Sequence, residues 1–122
     1  MLPSLHRQRY QVFQQALEQL LQSATATDLE GGALRDSFEN LQQLFKSQIT
    51  SLSADDIPAD YASRWQSFQT EIHKQMRLLQ TDVMLLRASR TAATSRSRAA
   101  GASDRINTLI RYCQALLQQT EE

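Results

Sequence analysis

A chain of 122 residues carrying thirteen Lys plus Arg against thirteen Asp plus Glu is long enough for one hydrophobic core and too short for two. The balanced charge removes the overall basic excess with which a protein covers nucleic acid or an anionic membrane, so any such role has to be local. Three glycines and two prolines interrupt a sequence rich in Leu, Gln, Ala, Arg and Glu, and the expected fold class is all-α.

Along the chain, Tyr10, Phe13, Leu17, Leu20, Leu21 and Ala24 recur at three- and four-residue spacing behind Pro3, which predicts a first amphipathic helix over about 3–24. No periodic pattern passes through 25–32, a connection ending in two glycines. Leu34, Phe38, Leu41, Phe45, Ile49 and Leu52 repeat the stripe and predict a second helix over 33–52, with Leu44 widening the apolar face. Ser53 is placed to cap a short turn, and Pro58 suits the first turn of a new helix while keeping Ile57 out of helical geometry. The third stripe is the longest, running Tyr61, Trp65, Phe68, Ile72, Met76, Leu79, Val83 and Leu86, and predicts a helix over 58–88 or longer. Ser103 and Asp104 read as a cap for a fourth helix over about 104–119, whose stripe is Ile106, Leu109, Ile110, Cys113, Leu116 and Leu117. None of these stripes is stable alone in water. Antiparallel packing of all four, with Trp65 and Phe68 near the centre, is the simplest way to bury them, so a four-helix bundle with a long third helix is expected. The rival architecture is a long hairpin of helices three and four that completes its core as a homodimer.

The longest apolar run, 83–86, is four residues, far below the roughly 20 of a membrane span. The N-terminus lacks the apolar stretch and small-residue cleavage site of a signal peptide, and the single Cys113 cannot form an internal disulfide; both point to the cytoplasm.

No catalytic, metal or cofactor constellation is legible, so the chain is expected not to be an enzyme. His6 and His73 lie on separate helices without a second His or Cys one turn away, and His73 reads as a rim residue. Cys113 falls on an apolar stripe, where a buried structural thiol is the plain reading. Asp55 and Asp56 precede a helix and read as dipole partners, and Gly31-Gly32 lacks the strand and lysine of a phosphate loop.

Two features remain. Residues 25–60 hold seven acids and two bases, whereas 83–103 hold Arg87, Arg90, Arg96 and Arg98 and no acid. The arginine segment either extends helix three or forms a mobile basic connection over 89–103, a solvated linker being the plainer reading. Functionally, four arginines without aromatic neighbours suit an acidic protein surface better than nucleic acid. On helix three, Leu78 and Leu85 project opposite to the main stripe, with Lys74 and Thr81 beside them and Met84 between the two faces. Either the helix is central and touches two neighbours, or its outer face receives a partner or a second copy of the chain. Lys74, Leu78, Leu85, Arg87, Arg90, Arg96 and Arg98 are therefore the candidate partner-binding residues.

The segment 70–90, Thr-Glu-Ile-His-Lys-Gln-Met-Arg-Leu-Leu-Gln-Thr-Asp-Val-Met-Leu-Leu-Arg-Ala-Ser-Arg, together with Asp104-Arg-Ile and Arg111-Tyr-Cys-Gln-Ala-Leu-Leu, resembles the PatD family of cyanobacterial heterocyst frequency control proteins. The resemblance implies a cytoplasmic regulator without enzymatic activity, connected with cell division through the tubulin-like protein FtsZ and, in filamentous species, with how many cells differentiate. It carries over no functional residue. The alternative class is a small helical export chaperone of the flagellar type or another helical adaptor. A nucleic-acid binder using the arginines from Arg87 to Arg98 ranks third.

Overall fold

The computed structural model describes residues 2–25 and 32–118, which form an antiparallel four-helix bundle without a strand. Helix α1 is Ser4–Thr25, α2 is Ala33–Leu44, α3 is Ala59–Arg87 and α4 is Ala92–Gln118. The chain runs up, down, up and down. The start of α1 meets the start of α3 where Tyr10 touches Trp65, and the end of α1 meets the start of α2 where Ser23 touches Ser37. The end of α3 is tied to the start of α4 through Arg98. Each helix turns its apolar stripe inward, and Phe13, Leu17, Leu20, Leu41, Ile49, Ile72, Leu79, Ile106, Leu109, Cys113 and Leu116 are sealed from solvent. Burying one such Leu or Ile side chain stabilises the fold by roughly 1.5–3 kcal/mol. Trp65 is central, as expected, whereas Phe68 is only half-buried and lies edge-on to Tyr112 of α4.

Helix α2 does not end cleanly. It continues as a π turn, Phe45–Ile49, in which the Thr50 amide donates to the Phe45 carbonyl five residues back. The carbonyls left over at this helix end all find donors, as buried or half-buried backbone must. Thr50 Oγ1 takes Lys46, Ser51 Oγ takes Ser47, Arg9 of α1 takes Gln48, and Leu52 N takes Ile49. The chain then turns through Ala54–Asp56, capped by Ser53 Oγ accepting from Asp55 N at 3.1 Å, and Pro58 leads into α3 with Asp60 in its first turn. The cap at Ser53 and the corner at Pro58 match the sequence reading.

The basic segment is neither a linker nor an extension of α3. Residues 88–91 form a tight turn, and α4 begins at Ala92, so most of the expected connection 89–103 is helix and Ser103 and Asp104 lie inside it rather than at its cap. Thr91 caps the new helix, its Oγ1 accepting from Thr94 N at 3.1 Å. The run of Ala, Arg and Ser favours helix more than its Thr and Gly oppose it. The deciding factor is burial: Ala99 and Ala102 face the core, and their small side chains let α4 lie close to its neighbours.

Two polar side chains sit in the core on register with the stripes. Tyr10 Oη accepts from Trp65 Nε1 at 2.9 Å and donates to Gln69 Oε1, while Gln69 Nε2 reaches the Ile49 carbonyl at 3.4 Å. His6 Nε2 donates to the Ser53 carbonyl at 2.8 Å, which leaves Nδ1 as a buried acceptor without a donor. Burial raises the Tyr10 hydroxyl far above its ordinary pKa and pushes the Cys113 thiol up to about 12.

Candidate functional site

The four helices do not close into a square. Helix α1 packs on α4 and on α2, and α4 packs on α3, but among the described residues α2 and α3 make no comparable approach. One side of the bundle is therefore an open seam. Its floor is apolar, because half-buried Phe45 of the π turn and buried Met76 of α3 belong to the core stripes and line the opening. A cavity of about 380 Å³ opens here, lined by Gln42, Phe45, Lys46, His73, Met76, Arg77 and Gln80.

The π turn contributes to this geometry. It carries Phe45 against Phe13 of α1, with ring centroids 5.8 Å apart, and edge-on to His73 of α3 at 5.0 Å. His73 is held by its own helix, Nδ1 lying 2.7 Å from the Gln69 carbonyl, so the imidazole wall of the seam has a fixed orientation. π turns are frequent where a helix presents a functional residue.

At the far end, where α2 and α4 begin, a second and more polar cleft of about 600 Å³ is lined by Gly32, Leu34, Arg35, Leu86, Arg87, Ser89, Arg90 and Ser95, among others. Both openings belong to the same side. His73, Arg77, Gln80, Met84 and Arg87 follow one another at four- and three-residue steps along the α2-facing edge of α3. Arg35, Glu39, Gln42 and Lys46 do the same along the facing edge of α2. Met84, 60% exposed, falls between Gln80 and Arg87 in this series. Five cations (Arg35, Lys46, Arg77, Arg87, Arg90) line the seam against Glu39 and against Asp36, which pairs with Arg35 at 3.5 Å on the surface. The ends of α1 and α3 and the starts of α2 and α4 meet at the arginine end, so the helix dipoles oppose one another there and the positive field comes from the guanidinium groups.

Compared with protein-family models, curated proteins and solved structures, the chain matches none of them.

The sequence-predicted residues divide between two surfaces. Lys74, Leu78 and Leu85 form the outer face of α3, where Leu78 is 37% and Leu85 45% exposed, so no second neighbour covers them. Arg87 and Arg90 line the arginine cleft of the seam. Arg96 is exposed on α4, apart from the seam, and Arg98 is engaged within the fold, donating from Nη1 to the Leu85 carbonyl at 2.6 Å and to Ser89 Oγ at 3.4 Å. Arg98 thus ties the C-terminal end of α3 to the start of α4. The two surfaces occupy neighbouring arcs of α3, with Thr81 of the outer face one turn from Arg77 and Met84 of the seam edge.

Lys46, Arg77 and Gln80 are seam residues that the sequence reading did not single out, and Phe45 and Met76 entered it only as members of the core stripes. The even spacing from His73 to Arg87 was visible, but its mixed polarity reads as an ordinary solvated edge. Among the described residues, no group of three or more His, Cys, Asp and Glu stands close enough to hold a metal ion, and no helix is long and apolar enough to cross a membrane.

Proposed function

We propose that this protein is a non-enzymatic regulator that acts by binding another protein, and that its partner is FtsZ or an associated division protein, as the likeness of segment 70–90 to the PatD family suggests. The observation that carries the reading is the seam: two helices of a four-helix bundle held apart over an apolar floor form a groove suited to a partner helix. Half-buried Phe45, at the open edge of an otherwise closed core, is the apolar surface that another chain would cover.

Sedimentation of purified FtsZ with GTP, in the presence and absence of the protein, tests it. The expected result is co-pelleting of the protein together with a change in the fraction of FtsZ polymerised; neither effect at micromolar concentrations would reject FtsZ as the partner. The outer face of α3 is the rival surface, favoured by exposed Leu78 and Leu85. A Leu78→Asp, Leu85→Asp variant that loses FtsZ while an Arg77→Glu variant keeps it would move the interface there.

A further inference from the structure

Resting on the reading of the seam as a protein-binding groove, we infer that its occupant is an acidic amphipathic helix of a partner protein, with apolar side chains on Phe45, Met76 and Met84 and carboxylates on Lys46, Arg77, Arg35 and Arg87. Three observations together specify this chemistry. The floor is an apolar cavity of about 380 Å³ edged by Phe45 and Met76, which suits the side chains of one helical stripe. The walls carry five cations against two acids, one of them already paired to Arg35, so a neutral or basic helix would leave guanidinium groups facing like charge or partly desolvated without a partner. The length is bounded: from His73 to Arg87 the edge of α3 spans ~21 Å at ~1.5 Å per residue, about four turns of helix.

Orientation follows from the field. The arginine cleft holds three of the five cations, Arg35, Arg87 and Arg90, so the most acidic end of the guest helix belongs there.

The test uses the full chain and three labelled peptides of about 16 residues. One is a helix with Leu along one stripe and Glu on both edges, the second carries Lys at every Glu, and the third has the composition of the first in scrambled order. Fluorescence anisotropy is expected to show binding of the acidic amphipathic peptide alone, weakened at least tenfold by an Arg77→Glu, Arg87→Glu variant and weakened as salt is raised. Circular dichroism of that variant confirms its fold, and Met84→Glu, at an exposed position, provides a second variant expected to weaken binding without unfolding. Equal binding of the Glu and Lys peptides, binding of the scrambled peptide, or no binding of any would overturn the inference. So would a dimer in sedimentation velocity that Met84→Glu dissolves, since a second copy would then fill the seam. Co-pelleting with FtsZ that persists when no peptide binds would leave the regulatory reading standing and remove only this assignment of the groove; peptide binding without any effect on FtsZ would do the reverse.

Discussion

Replacing Tyr10 by Phe keeps the ring, which is completely buried, and deletes the hydroxyl that joins α1 to α3. Two partners are left behind. Trp65 Nε1 loses its acceptor in a residue 4% exposed, and Gln69 Oε1 loses its donor in a residue 8% exposed, so water does not readily replace either. An orphaned buried polar group costs about 1–3 kcal/mol, and relief of the hydroxyl's own desolvation offsets part of the sum, which leaves a net loss of roughly 2–4 kcal/mol. For a domain of this size that corresponds to a fall of roughly 8–16 °C in the unfolding midpoint. Thermal denaturation followed by circular dichroism at 222 nm measures it directly. The partner substitution Gln69→Leu removes one of the two orphans, so the double variant is expected to lose less than the two single variants added together, a coupling typical of residues in one network. A Tyr10→Phe midpoint within about 2 °C of the parent, or strict additivity with Gln69→Leu, would refute the claim that this network is satisfied and stabilising.

Further expected outcomes concern surface, backbone and pH. Leu78→Asp with Leu85→Asp changes two exposed side chains and is expected to shift stability by no more than about 1 kcal/mol, with helicity retained; unfolding would show both leucines to be core. Gly101 lies inside α4, where an added Cβ meets nothing within 4 Å, so Gly101→Ala is expected to stabilise the protein by about 0.5–1 kcal/mol, read as a higher midpoint in urea. Burial lifts the Cys113 thiol from its usual 9.0 to about 12, so the unfolded chain releases this proton first; the associated stability is complete below pH 9 and is lost as pH rises toward 12. Tyr10 is raised by burial as well and adds to the alkaline loss above its ordinary value of 10.0. Urea midpoints compared at pH 8 and pH 10.5 are expected to fall, and to fall less in a Cys113→Ala variant; equal falls in parent and variant would show that the thiol is not the source.

Helix number, order and inward faces were legible in the chain because apolar periodicity is a local property, set by which residues share one side of a helix. The stripe Trp65, Ile72, Met76, Leu79 and Val83 read from sequence is the stripe the core buries, and Ser53 and Pro58 punctuate the chain where turn chemistry requires. His6 and Gln69 share the register of those stripes, and polar side chains are ordinarily exposed; partners supplied by Ser53, Tyr10 and Ile49, far away in sequence, hold both inside. The segment 89–103 was ambiguous for the same reason: its propensity is middling, and only the space beside α1 and α3 made Ala99 and Ala102 worth burying as helix.

What the sequence determined by itself is the set of four amphipathic rods, since each stripe follows from residue order alone. What only the tertiary structure decided is how closely those rods approach one another. The gap between α2 and α3, the π turn that turns Phe45 toward it, and the gathering of Arg35, Arg77 and Arg87 along its rim depend on distances between helices, and inter-helix distance is fixed by the packing of all four together rather than by the pattern within any one.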